Sequence, residues 1–423
     1  MTHQPNLFDA AAILIVVTAF LGYVNFRFLK LPSTVGLTIM GAVSSLAVIL
    51  FDRVFPQGDL AGKLGTFLAD IDFHTTLMNG MLSFLLFAGA LHVDWTAMKR
   101  GRWPIMIFST VGVLLSTTLV GTGIHFIAGL FGHPIPLIWC LVFGALISPT
   151  DPIAVMAVMR RAAVPETLQA TIAGESLFND GIGVVVFSIL LVSASGAEEF
   201  TLAAASADFL REAGGGAILG LVLGWIAFRG MRSIDDFIIE VMISLALVMG
   251  GYSLAQVLHV SGPVAMAVAG LMIGNAGVAY AMSEQTRDYL LKFWDLIDEI
   301  LNAVLFVLIG LEVVVIASSA SPLLLGVVAI GVVMLARAIS VGAPLAAMKR
   351  WIKLGPMAYP TLVWGGLRGG ISVALALSLP ESPIRADILA ITYIVVLFSV
   401  VVQGGSIRWL IERLSARAAQ GTA

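Results

Sequence analysis

Apolar positions along this chain fall in runs of about 20 residues, the length at which an α-helix crosses the hydrocarbon core of a bilayer. Short polar stretches separate the runs, and hydropathy predicts about thirteen helices. The first six lie at roughly Ala10–Leu29, Ser33–Phe51, Thr75–Val93, Pro104–Phe131, Pro136–Met159 and Glu166–Ser195. The seventh, Ala213–Phe228, follows an acidic connection and is expected to open on Gly214-Gly215-Gly216. Helices 8 to 10 are placed at Phe237–Leu258, Gly262–Gly277 and Ile297–Ser318, and the last three at Pro322–Met348, Pro356–Leu379 and Ile384–Leu410. Helix 9 is short enough to be tilted or partly re-entrant. The expected fold class is an all-α polytopic membrane protein, residues 1–423 forming a single integral membrane unit.

Two adjacent helices carry polar clusters that break the apolar pattern. Helix 5 contains Ser148-Pro149-Thr150-Asp151-Pro152, and helix 6 contains Gly174-Glu175-Ser176-Leu177-Phe178-Asn179-Asp180-Gly181. Carboxylates inside apolar segments are costly and mark functional sites by default. Pro149 and Pro152 remove two backbone donors and clash with preceding carbonyls, so helix 5 is expected to break there. A broken helix exposes carbonyls from its first half and a positive N-terminus from its second, and needs protein or a water-lined cavity around it. In helix 6, Ser176 and Asp180 are four apart and share a face; Glu175 and Asn179 share another, about 100° round. At 1.5 Å per residue, Asp151 and Asp180 lie about 14 and 21 Å deep from the same side, so they are expected to meet near the midplane.

Helix 12 repeats the interruption with different residues, Trp364-Gly365-Gly366-Leu367-Arg368-Gly369-Gly370. Helices 5 and 12 are seven apart and cross in opposite senses, the placement an inverted repeat of helices 1–6 against 8–13 would give. Arg368, and Arg337 in helix 11, are the two basic residues inside apolar segments. Each needs a partner or a water-filled cavity, snorkelling being the alternative for Arg368. Glu240 and Glu312 lie nearer helix ends and read as interfacial, as do His125 and His133.

Composition and charge refine this picture. The chain is 59% hydrophobic and 12% charged, against about 25% charged in soluble domains. Of its 23 Lys and Arg, seventeen follow odd-numbered helices or the C-terminal end and only Arg53, Lys63, Arg211 and Arg385 lie opposite. The positive-inside rule then predicts an external N-terminus and a cytoplasmic C-terminus. No positive charge precedes the first apolar run, so a retained helix is expected there in place of a cleaved signal. No basic run suggests nucleic acid, and the single cysteine, Cys140, excludes an intramolecular disulfide.

The ligand chemistry is that of hard oxygen donors, which suit small hard cations and do not select soft transition metals. Removing a carboxylate from water favours its protonated form, so one buried aspartate could hold either a proton or a cation. No phosphate-binding loop of the Gly-x-x-x-x-Gly-Lys-[Ser/Thr] type occurs, which points to transport driven by ion gradients and not to an enzyme. A passive channel is disfavoured by the titratable midplane carboxylate, and an intramembrane aspartyl protease by the lack of Gly-x-Gly-Asp.

The two clusters, extended to Phe143–Pro152 and Gly174–Gly181, resemble the monovalent cation:proton antiporters of the NhaP/NHE-like type. Val260-Ser261-Gly262-Pro263, Leu305–Leu311 and Gly366–Gly370 are similar to further segments of that family. The resemblance implies Na⁺ binding and proton exchange at Asp180, with Thr150, Asp151 and Ser176 contributing. It implies that Asn179 orients the unwound crossing and that Glu175 pairs with Arg337, Arg368 being a further structural polar residue. The Asn179-Asp180 pair is similar to the electroneutral branch, K⁺/H⁺ exchange being the alternative. No cofactor beyond transported Na⁺ and H⁺ is implied. The family suggests a homodimer in the lipid bilayer, in a bacterial cytoplasmic membrane, serving pH homeostasis. Helices 1–3 and 8–10 (about 10–93 and 237–318) would form a dimerisation scaffold. Helices 4–6 and 11–13 (about 104–195 and 322–410) would form the ion-binding core, with about 196–236 as a linking helix. Family members often carry a glutamate where this chain has Ala88, which bears on cation choice, affinity or pH response.

Overall fold

The structure, a computed structural model, describes residues 7–55, 62, 81–162, 164–196, 201–311, 323–350 and 354–420. The predicted start of helix 3, the end of helix 10, Lys63 and Glu312 lie outside the described residues. In chain order, α1 is Leu7–Val24, ending in a π-turn at Asn25–Leu29. Next come α2 at Ser33–Val54, α3 at Leu82–Leu91 and α4 at Arg102–Leu130. The fifth helix is split into α5a, Leu137–Leu146, and α5b, Ile153–Arg161; α6 is Glu166–Ala194. Then follow α7 at Ala203–Met231, α8 at Phe237–Val257, α9 at Gly262–Tyr280 and α10 at Glu284–Leu311. The chain continues through α11 at Leu323–Met348, the split α12a, Ala358–Trp364, and α12b, Gly370–Leu377, and α13 at Arg385–Ala416.

Local chemistry sets the starts. Pro32, Pro136 and Pro165 stand immediately before α2, α5a and α6, where a missing N–H costs nothing. The Asp236 carboxylate accepts from the N–H groups of Ile238 and Ile239 at 3.0 and 3.1 Å, capping α8. Ser261 caps α9 by accepting from the Val264 N–H at 3.3 Å, with Pro263 in the first turn.

Three expectations need correction. The glycine triplet does not open helix 7; it lies inside it, and the helix begins about ten residues earlier. A Cβ at Gly215 would meet Val260, and one at Gly216 would lie 2.5 Å from the Ser261 carbonyl, so these glycines admit the α9 cap and do not break the helix. Helix 10 begins at Glu284 and not near Ile297. Its first three turns are amphipathic, so their charges hide them from a hydropathy window. Glu240, read as interfacial, is fully buried on α8.

An inverted repeat organises the packing. α2 lies against α10 as α3 lies against α9, and these pairs exchange under a two-fold relating helices 1–6 to 8–13. Both pairs approach through glycine. A Cβ at Gly310 would lie 2.5 Å from the Thr38 carbonyl, and one at Gly270 would lie 2.6 Å from the Phe87 carbonyl. Small residues let membrane helices come this close, so that dispersion between backbones does the work that the hydrophobic effect does in water. Gly310→Ala is therefore expected to cost about 1–3 kcal/mol by overpacking. Gly331→Ala on α11, where a Cβ meets nothing within 4 Å, serves as the control. Thermal unfolding in detergent should show a lowered Tm for the first and no loss for the second.

Candidate functional site

The breaks in the fifth and twelfth helices lie against each other. Between α5a and α5b the chain leaves the helix, and the Asp151 N–H donates to the Leu367 carbonyl at 2.8 Å across an isolated antiparallel bridge. Neither interruption could satisfy its backbone alone, and each supplies part of what the other lacks. Asp151 Oδ1 accepts from the N–H of Ile153, the first residue of α5b, at 2.9 Å. A Cβ on Gly369, the N-cap residue of α12b, would lie 2.9 Å from Asp151 Oδ2. The positive N-termini of both second halves thus converge on one carboxylate.

The C-terminal ends of the first halves are covered by arginines. Arg368 Nη1 donates to the carbonyls of Ser148 and Pro149, the latter at 3.1 Å, just beyond α5a. Arg337 Nε and Nη2 donate to the Leu362 carbonyl in α12a at 3.2 and 2.9 Å. Arg337 Nη1 also forms an ion pair with Glu175 Oε1 at 2.6 Å. Both guanidinium groups are buried, so Arg368 does not snorkel to an interface. Gly366 makes room for Arg337, because any Cβ there would collide with its guanidinium.

α6 supplies the remaining wall. The Ser176 hydroxyl donates to the Thr150 carbonyl. Asn179 Nδ2 donates to Thr150 Oγ1 at 2.7 Å, and Asn179 Oδ1 accepts from the Thr150 N–H at 3.4 Å. Ser176 and Asn179, three residues apart, therefore face the break together. The unwound Thr150 offers backbone and side-chain groups to both positions at once, while Ser176 and Asp180, four apart in the continuous α6, share a face. Asp180 is buried within electrostatic reach of Asp151 and Glu175, and its Oδ1 has no hydrogen-bond partner among the described residues. Gly183 allows α6 this close, since a Cβ there would lie 2.7 Å from the Pro149 ring.

Sequence reasoning missed several supports. Ser399 of α13 accepts from the Arg368 N–H at 2.7 Å and donates to Gln403 Oε1 at 2.7 Å; Gln403 Nε2 donates to the Trp364 carbonyl at 3.1 Å. Two polar residues four apart in an apolar run were the available signal. Ser148 is held by Ser116 of α4 at 3.1 Å. A cavity of about 1240 Å³ borders α5b at Ile153 and Arg161, α10 at Asp298 and Asn302, α1 at Asn25 and α13 at Arg408.

Two crossed, interrupted helices with a buried aspartate beside them are a specific arrangement. Residues 15–413 match the family model described as sodium/hydrogen exchanger, transmembrane. The chain belongs to the sodium/hydrogen exchanger family. Among relatives, the Na⁺/H⁺ antiporter NhaP of Pseudomonas aeruginosa is 47% identical over 97% of both chains. The Na⁺/H⁺ antiporter NhaH of Halobacillus dabanensis is 33% identical over 92% of this chain and 93% of its own. The fold matches that of the sodium proton antiporter MjNhaP1 from Methanocaldococcus jannaschii with a TM-score of 0.75 at 21% identity, covering 97% of this chain and 99% of that one. Ala88, where the exchanger resemblance leads one to look for glutamate, is buried in an apolar cluster with Leu91, Ala265 and Trp294.

The buried ion pair yields a stability test. Glu175→Gln or Arg337→Gln alone leaves one buried charge uncompensated and is expected to cost about 3–5 kcal/mol. The double variant should lose clearly less than the sum. Strict additivity in detergent thermal unfolding would show that the two side chains do not depend on each other.

Proposed function

We propose that this chain is a secondary Na⁺/H⁺ antiporter in which Asp180 alternately holds a proton and Na⁺, one for one and hence electroneutrally. The observation that carries this reading is the Asp180 carboxylate, buried with an oxygen that has no hydrogen-bond partner among the described residues, beside an unwound segment rich in oxygen donors. A carboxylate in that position requires either a proton or a cation, and the two compete. Thr150, Asp151 and Ser176 supply further hard oxygens for the cation. Asn179, Arg368 and the Glu175–Arg337 pair keep the unwound segments in place around it.

Exchange further requires that the site face one side at a time. We assign α4–α6 and α11–α13 to an ion-binding core, α1–α3 and α8–α10 to a dimerisation scaffold, and α7 to the link. The large cavity supports this division, since it lies between α1 and α10 on one side and α5b and α13 on the other. Its rim carries Arg27, Lys30, Arg161 and Arg408, basic residues of the face assigned to the cytoplasm, with the N-terminus outside. The assembly is a homodimer in a bacterial cytoplasmic membrane, serving pH homeostasis, in keeping with the bacterial source of its relatives.

In proteoliposomes, Asp180→Asn should abolish Na⁺-driven proton flux; retained exchange sinks the assignment. Because proton and Na⁺ compete for one carboxylate, acidification should raise the apparent KM for Na⁺ and leave the maximal rate at saturating Na⁺ unchanged. Flux should be indifferent to an imposed membrane potential. Replacing Na⁺ by K⁺ in the same assay decides between Na⁺/H⁺ and K⁺/H⁺ exchange.

A further inference from the structure

A second, much smaller cavity lies among α11, the break in the twelfth helix and α13. It measures about 10 Å³, counted as room for the centre of a water molecule, and is lined by Val333, Arg337, Gly366, Arg368, Val395 and Gln403 among others. That is about the space one water needs, provided it finds two to four polar partners. Arg368 is 2% exposed, and its Nη2 has no hydrogen-bond partner among the described residues. The guanidinium is engaged by carbonyls through Nη1, whereas Arg337 has the Glu175 carboxylate. A buried N–H of a cation left unpaired is a costly arrangement.

Gln403 offers the complement. Its Oε1 accepts one hydrogen bond from Ser399 and its Nε2 donates one to the Trp364 carbonyl. An amide oxygen accepts two bonds and an amide nitrogen donates two, so each retains one capacity. A halide would suit the guanidinium charge, but it would have to shed its water into a space whose apolar walls are Ile330, Val333, Met334, Val395 and Phe398, with both arginines already engaged by protein oxygens. A neutral molecule with both donor and acceptor capacity fits the lining better.

We propose that this cavity is the binding site of a single structural water, which accepts from Arg368 Nη2 and donates to Gln403 Oε1. The water completes the hydrogen bonding of the guanidinium that covers the end of α5a. It thereby joins α13 to the fifth helix through Arg368, on a route separate from the direct Asp151–Leu367 bridge.

The test uses the full-length protein. A density map that resolves other buried waters, collected in NaCl and in NaBr, should show one peak within hydrogen-bond distance of Arg368 Nη2 and no bromide anomalous signal. Val333→Ile and Val395→Ile each add one methylene at the cavity wall. Displacing a water that satisfies a buried cation should lower the Tm by at least about 2 °C and remove the peak. Filling an empty apolar void would raise the Tm. An empty cavity in the map, a bromide signal, or unchanged or raised stability in both variants overturns the proposal.

Discussion

One backbone hydrogen bond, from the Asp151 N–H to the Leu367 carbonyl, marks the constraint on which the site depends. Two helices stop inside a membrane-spanning bundle, and peptide groups released there have no water to fall back on. The solution is mutual. The breaks cross antiparallel, so that two C-terminal and two N-terminal helix ends lie close together. Positive guanidinium groups cover the carbonyl ends, and the Asp151 carboxylate faces the amide ends. The charged residues of the region are thus distributed as the half-helix dipoles require.

The rest of the core follows from holding that crossing still. α6 could not reach Thr150 if Gly183 carried a side chain, and without Ser176 and Asn179 the unwound Thr150 would leave buried polar groups unmatched. Arg337 serves two purposes, since it both compensates Glu175 and covers the Leu362 carbonyl. Buried ion pairs add little net stability compared with apolar packing, but their loss on one side is severe.

Much of this was legible in the residues. The apolar runs mark thirteen helices, and the interruptions at Pro149 and Pro152 and at the Gly365–Gly370 cluster fall where the chain unwinds. What escaped did so for definable reasons. The start of α10 is amphipathic because it carries a polar face, which depresses hydropathy without ending the helix. The Gly214–Gly216 triplet reads as a breaker in isolation, yet its purpose is to admit Ser261 from another helix. That Ser176 and Asn179 both meet Thr150 escaped because helical spacing says which residues share a side, not how an unwound partner will present itself. The roles of Ser399 and Gln403 depended on a long-range contact with Arg368 that no local pattern encodes.

The widened turn in α13 carries a consequence of its own. Residues Ser399–Gly404 form a π-turn, which is an α-helix with one residue too many. That surplus residue advances the phase of everything beyond it by about 100°. Ser399 and Gln403, which hold Arg368 and Trp364, belong to the widened turn, while Ile407 and Ile411, buried beyond it, depend on the added phase for their inward orientation. Removing a single residue here would regularise the helix and leave its hydropathy almost unchanged. The surplus residue and its phase offset would be lost together, so the terminal turns would keep their face. Closing the turn with every residue retained would instead swing Ile407 and Ile411 away, so length and geometry are coupled along this stretch.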